Sequence, residues 1–231
     1  MALFYQPDIS QGLHHLDEEE SRHCVKVLRY SIGDSITILD GKGTVYEGKI
    51  TEASPKKVAF DIVNSQYTEK PPHHIHIAIA PTKNLDRIEW FVEKAVEIGI
   101  QEVSFIYCKN SERKVLKTDR LERKAVSALK QSKGTYLPLI NPLVALPSFT
   151  STIKGEKFIA YVDFQNPEKL AKVIKPAQQY CVLIGPEGDF TPQELEICMA
   201  AGFKKVSLGN SRLRTETAGI VACHILNLAN E

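Results

Sequence analysis

The chain has 231 residues, of which 43% are hydrophobic and 25% charged, and its formal net charge is only +1. That length suits one large domain or two small ones; no apolar run approaches a membrane span, and the start lacks the basic and apolar segments of a signal peptide, so a soluble cytoplasmic protein is expected. The five cysteines, Cys24, Cys108, Cys181, Cys198 and Cys223, show no Cys-x-x-Cys spacing, which disfavours a disulfide frame or a zinc site and leaves core thiols.

The first seventy residues read as β. Residues 18–28 place Cys24, Val27 and Leu28 near helical spacing and predict one short helix. Residues 35–39 then alternate, Asp40-Gly41-Lys42-Gly43 is turn chemistry, residues 44–50 return, and residues 57–63 add another strand. A small barrel carrying the helix is the predicted arrangement. Pro71 and Pro72 stiffen the chain and withhold backbone donors, which divides it into 1–70 and 71–231.

Beyond that boundary strands and helices alternate. The pattern predicts a strand over 75–80, then a helix over 85–98 with Leu85, Ile88, Phe91 or Val92, and Ala95 on one face and Gly99 as its stop. A strand over 103–107, a helix over about 119–132 and a strand over 158–162 follow. Such alternation implies an α/β domain with a parallel sheet of five or six strands. His73 and His74 fall on the linker without an acidic or cysteine partner at metal-site spacing, so no metal is expected.

Charge is unevenly spread. Residues 1–70 hold eight Lys/Arg against eleven Asp/Glu, whereas residues 109–133 hold nine against three. A positive field on one loop and one helix, including Lys114 and Lys117, suits phosphate groups, and it equally suits a solvated basic face.

Two strand-loop-helix units close the chain. The apolar run Tyr180 to Ile184 predicts a strand buried on both faces, followed by a loop containing Gly185 and Gly188. Thr191-Pro192-Gln193-Glu194 combines an N-cap, a first-turn proline and a capping box, and Gly202 ends that helix. A short strand over 206–208 leads into the loop Gly209 to Arg214 and a terminal helix carrying Ile220, Val221, Ile225 and Leu228. Neither loop has the G-x-G-x-x-G or Gly-Lys-Ser/Thr pattern of a phosphate cradle. From spacing alone the glycines either admit a ligand or only shape turns.

The segment Leu183-Ile184-Gly185-Pro186-Glu187-Gly188, together with Leu208 to Ala218, resembles the signature of the RsmE family, the 16S rRNA (uracil-N3)-methyltransferases of the SPOUT superfamily. The likeness spans nearly the whole chain. It includes His23 with Val27-Leu28-Arg29, Asp40-Gly41, Glu93 to Gly99, Ser111-Glu112-Arg113, and Gln131-Ser132 before Pro138. The chain departs from the family pattern at Asp189, where a second glycine is usual, at Lys130, where a glutamate is usual, and at Ala2-Leu3-Phe4, where an arginine is usual.

The resemblance implies an N-terminal PUA-like β-barrel that docks RNA, with Lys26 and Arg29 on the RNA-facing edge, and a C-terminal SPOUT-type α/β domain whose last segment threads a trefoil knot. It implies S-adenosyl-L-methionine as cofactor, held by Ile184, Gly185, Glu187, Gly188, Leu208, Gly209, Leu213 and Thr217. It further implies RNA contacts from Arg113, Lys114, Lys117 and Arg212, and catalysis at uracil N3 by Arg214 and Glu216. The implied partners are 16S rRNA in the small ribosomal subunit and a second copy of the chain, with no membrane and no metal. A SPOUT methyltransferase for another nucleotide and a non-catalytic RNA-binding assembly factor are the alternatives.

Overall fold

The computed structural model describes residues 2–161 and 168–231, so Val162, the predicted end of a strand, lies outside the described residues. Contacts divide the chain into two units, Met1–Lys70 with Val126–Leu137, and Pro71–Ala125 with Pro138–Glu231. The first unit thus includes a segment beyond the linear boundary at Pro71.

In the first unit β1 (Leu3–Tyr5), β2 (Ser35–Leu39), β3 (Thr44–Ser54) and β4 (Lys57–Tyr67) form a four-stranded sheet in that order. β1 runs parallel to β2 and the other pairs are antiparallel. The predicted barrel is a sheet whose edges are joined by the chain that follows β1. Leu16 N donates to Val58 O (2.9 Å) and Phe60 N to His14 O (3.1 Å), which lays residues 14–16 along the free edge of β4. Gln6, just past β1, then donates its Nε2 to His15 O (2.6 Å) and links the two edges. Register shifts at Glu47/Gly48 and Ile50/Glu52 bend β3 and β4 around a core of Phe4, Ile36, Ile38, Ile50, Val58 and Phe60.

The predicted helix over 18–28 begins as expected and then changes hydrogen bonding. Asp17 caps α1 (Glu18–Arg22) by accepting from Glu20 N, but residues His23–Val27 form a π turn, closed by Leu28 N donating to His23 O (3.0 Å). The wider turn shifts the phase of the side chains. Cys24 stays in the core while Val27 is 66% exposed, so the expected packing of Val27 is corrected. The returning segment after Ser132 is tied to the sheet by Gly43 N to Thr135 O (2.9 Å), Leu137 N to Gly41 O (2.9 Å) and Tyr136 Oη to Thr68 O (2.7 Å). Lys130 forms an ion pair with Glu20, whose carboxyl burial holds above its ordinary pKa despite that partner.

The second unit is a six-stranded sheet built from β5 (His74–Ile79), β6 (Glu102–Tyr107), β7 (Leu139–Ala145), β8 (Glu156–Ala160), β9 (Gln179–Ile184) and β10 (Lys204–Val206). Their order is β10-β8-β9-β5-β6-β7, with every pair parallel. The short strand predicted over 206–208 is β10, shifted toward the N-terminus. β7 was not predicted. Pro142 cannot donate within a ladder, and it is tolerated because β7 is an edge strand.

Helix α2 (Leu85–Ile98) starts at the Asn84 cap and ends at Gly99, whose φ of 102° is the left-handed geometry of a helix stop. It packs with the terminal helix α7 (Thr215–Leu228), itself contacted by the short α5 (Leu170–Val173), over one face of the sheet. Close approach there depends on Gly219, because a Cβ at that position would lie 2.6 Å from a Phe91 ring carbon. The other face carries Leu146 and Phe149 of α4 (Leu146–Thr150), and Leu195 and Cys198 of α6 (Pro192–Ala200), over Ala78, Ile106, Ile159 and Leu183.

Much of the basic charge on α3 (Asp119–Ser132) is already partnered. Arg120 Nε lies 2.6 Å from Glu89 Oε1, Lys124 Nζ is 3.2 Å from Glu93 Oε2, and Lys130 pairs with Glu20. Another correction concerns His74, which opens β5 and has an acidic partner: its Nε2 is 2.8 Å from Glu102 Oε2.

Candidate active site

Strands of a parallel sheet end together, and the loops leaving them make a crevice at their C-terminal edge. Here β8, β9 and β10 end around a cavity of about 580 Å³, walled by residues 184–187 and 189, by residues 206–216, and by Arg87 from α2. All of these belong to the second unit.

The first loop is held rigidly. The capping box at α6 is complete, with Thr191 N donating to Glu194 Oε2 (2.8 Å) and Glu194 N donating to Thr191 Oγ1 (3.3 Å). The second oxygen of Glu194 accepts from Lys109 N (2.7 Å). Next to it, Asn110 Nδ2 donates to both Gly188 O and Asp189 O, each at 3.0 Å. Gly185 leaves room for the loop to fold back on itself, since a Cβ there would stand 3.0 Å from the Phe190 ring and 3.3 Å from Asp189 Oδ1. Thr215 Oγ1 donates to Gly185 O (3.1 Å), which ties the start of α7 to this loop.

Of the residues proposed for the cofactor, Ile184, Gly185, Glu187, Leu208, Gly209 and Leu213 line the cavity. Gly188 and Thr217 are not among its lining residues. Gly188 does not have a positive φ, and a Cβ added to it would meet Asn110 Cβ at 3.0 Å. The space that glycine preserves belongs to the Asn110 clamp.

Arg212, Arg214 and Glu216 also line the cavity. Arg214 is exposed and occupies the N-cap position of α7 without a side-chain cap bond. Glu216, in the first helical turn, is only 6% exposed; its Oε1 lies 3.9 Å from Arg87 Nε, and its Oε2 is buried without a hydrogen-bond partner among the described residues. A carboxylate removed from water costs free energy unless charge or hydrogen bonds compensate, and the α7 N-terminus and Arg87 supply part of that compensation. Arg87 was missed in the sequence. A cation in the first turn of α2 opposes the helix dipole, and that unfavourable placement was the available signal.

Arg113 is not a cavity residue. Its Nη2 donates to Lys83 O (2.7 Å) and its Nε to Thr82 O (3.3 Å), so its guanidinium braces backbone. Lys114 and Lys117 are exposed on the same stretch, and Lys26 and Arg29 are exposed in the first unit.

Comparison with known proteins places these features in a family. Residues 68–227 match an RNA methyltransferase domain and residues 16–63 an RNA methyltransferase PUA domain. The ribosomal RNA small subunit methyltransferase E of Aquifex aeolicus is 29% identical over 98% of this chain and 99% of its own length. A crystal structure of a probable rRNA methyltransferase from Porphyromonas gingivalis superposes with a TM-score of 0.93 at 41% identity, covering 100% of this chain and 98% of that one. The ribosomal RNA small subunit methyltransferase E of Neisseria gonorrhoeae, solved bound to S-adenosyl methionine, gives a TM-score of 0.88 at 26% identity over 100% of this chain and 98% of its own. With both domains matched and full-length likeness on each side, the chain belongs to the RsmE family of RNA methyltransferases.

Proposed function

We propose that this protein transfers a methyl group from S-adenosyl-L-methionine to N3 of a uridine in the 16S rRNA of the small ribosomal subunit. The observation that carries the reading is the buried carboxylate of Glu216, one oxygen unpartnered, on the wall of a cavity that also presents Arg87 and Arg214. The cavity fits the cofactor. Its volume of about 580 Å³ lies within the range of small-molecule sites, roughly 300–1,000 Å³. Its walls offer loop backbone and the carboxylates of Glu187 and Glu216 to a ligand with cationic groups and no phosphate. When bound, S-adenosylmethionine supplies an electrophilic methyl group.

Uracil N3 carries a proton at neutral pH. Glu216 is placed to accept it, and Arg214 to stabilise the negative charge that spreads over O2 and O4, with Arg212 as a further cation. Arg87 holds the Glu216 carboxylate in place. Ile184, Gly185, Glu187, Leu208, Gly209 and Leu213 contact the cofactor, with Gly188 and Thr217 contributing from behind the wall. Lys26, Arg29, Lys114 and Lys117 hold rRNA phosphates, and Arg113 orders the segment that presents the two lysines.

On the same reading the last segment is threaded as a trefoil knot and the protein works in the cytoplasm as a homodimer. The half-exposed apolar side chains Ile220, Val221 and Ile225, with Leu228 at 52% exposure, support the dimer. Among the described residues no helix is long and apolar enough to cross a membrane. Single-turnover methylation of rRNA at saturating RNA and cofactor tests the chemistry. Arg214→Ala should slow turnover by ~100-fold or more with little change in either affinity, because the interaction develops mainly in the transition state. A normal rate would remove Arg214 from catalysis. Mass mapping of small-subunit rRNA from a deletion strain tests the target, and full N3 methylation there would refute it.

A further inference from the structure

Four non-glycine residues among those described have a left-handed backbone: Arg29, Lys133, Ala177 and Asp189. Of these, Asp189, with φ at 60°, is the one that lines the cofactor cavity. Aspartate tolerates this conformation better than most residues, yet glycine would adopt it more freely. A strained residue held at a ligand cavity invites a functional explanation.

The carboxylate is fixed from several sides. Its Oδ1 accepts from Phe190 N at 2.8 Å, Asn110 grips the Asp189 carbonyl at 3.0 Å, and Gly185 leaves open the space that the carboxylate occupies. Oδ2 has no hydrogen-bond partner among the described residues, although it is not sealed from solvent as Glu216 Oε2 is. Half-burial raises the carboxyl pKa, and the Phe190 N–H and the charge of Arg212 counteract this only in part. No ion pair within 4.0 Å joins Arg212 to it. The loop therefore holds an acceptor oxygen at the cavity wall with its other oxygen already engaged.

We propose that Asp189 is a cofactor-binding residue, its free Oδ2 accepting a hydrogen bond from a donor group of S-adenosylmethionine. The inference rests on the cofactor assignment above. It adds a second carboxylate contact, beside Glu187, on the loop that follows β9. The competing explanation is local: Asp189 is kept only to accept from Phe190 N and to shape the turn.

Two substitutions separate these explanations without threatening the fold. Asp189→Asn retains an Oδ1 acceptor and tolerance of positive φ but removes the charge, and Asp189→Gly is at ease at this φ. Calorimetric titration with S-adenosylmethionine should show affinity about tenfold weaker in Asp189→Asn and at least as weak in Asp189→Gly, the size expected for one hydrogen bond to a charged group. Thermal midpoints should stay within a few degrees of the parent. Titration with 5′-methylthioadenosine, which lacks the amino-acid portion, locates the donor. A similar loss assigns it to the nucleoside, and a loss confined to S-adenosylmethionine and S-adenosylhomocysteine assigns it to the ammonium. Full affinity of Asp189→Asn for S-adenosylmethionine overturns the proposal, whatever the glycine variant does. Failure of the parent protein to bind S-adenosylmethionine would instead overturn the cofactor assignment, and the proposal with it.

Discussion

Acid should destabilise the second unit through one buried histidine. His76 on β5 is 5% exposed; its Nε2 is 2.8 Å from Ser104 Oγ, and the ring packs edge-on against Phe149 at 5.5 Å. Burial, with His74 adding repulsion and Glu102 opposing it, lowers the pKa from an ordinary 6.5 to about 4. The folded state therefore binds the proton more weakly than the unfolded chain. Stability is full above 6.5 and falls as pH drops toward 4, because protonation then favours unfolding. At about 1.36 kcal/mol per pH unit, roughly 2 kcal/mol should be lost between pH 7 and 5, a large fraction of a typical 5–15 kcal/mol. Glu102 acts elsewhere. Burial alone would raise its pKa, but hydrogen bonds from His74 and Asn141 and the proximity of His76 leave it below the ordinary 4.5, so its contribution fades only at lower pH. His73 is also lowered, by burial and then by the charge of His74, but it is only partly buried and adds less. Urea titrations at both pH values, followed by fluorescence of Trp90 on α2 in the same unit, measure the loss. His76→Gln keeps a polar partner for Ser104 and cannot titrate, so its drop from pH 7 to 5 should shrink to well under 1 kcal/mol. An equal drop in His76→Gln would refute the assignment.

Gly219→Ala would press a methyl group to 2.6 Å from Phe91. Overpacking of about 1–3 kcal/mol should outweigh roughly 1 kcal/mol of helix propensity gained, lowering the urea midpoint, and an unchanged or higher midpoint would show that α7 and α2 separate easily. Lys114→Ala with Lys117→Ala should weaken RNA binding about equally for any sequence and flatten its salt dependence by roughly one to two counterions. A sequence-selective loss would contradict phosphate docking. Sedimentation at micromolar concentration should give twice the chain mass of 25.8 kDa, and a monomer that still methylates RNA would exclude the dimer reading.

Local signals were legible where the physics was local. Helix α2 spans the predicted 85–98 and stops at Gly99, Thr191 and Glu194 form the predicted capping box, and α3 spans the predicted 119–132. The π turn after Arg22 escaped because its sequence is compatible with ordinary helix. β7 escaped because Pro142 argues against a strand unless its edge position is known. Nor could local pattern reveal that residues 126–137 join the first unit, which depends on pairings such as Lys130 with Glu20. The same limit governs the candidate site. The family likeness marked both loops, but Arg87 meets Glu216 and Asn110 clamps Asp189 across large separations in sequence, where neither spacing nor composition links them. Glycine shows the boundary most clearly. Its presence signals a need for space without naming the occupant, which is Phe190 and the Asp189 carboxylate at Gly185, Asn110 at Gly188 and Phe91 at Gly219. A glycine-rich motif is therefore evidence for a close approach, and only coordinates decide whether ligand or protein makes it.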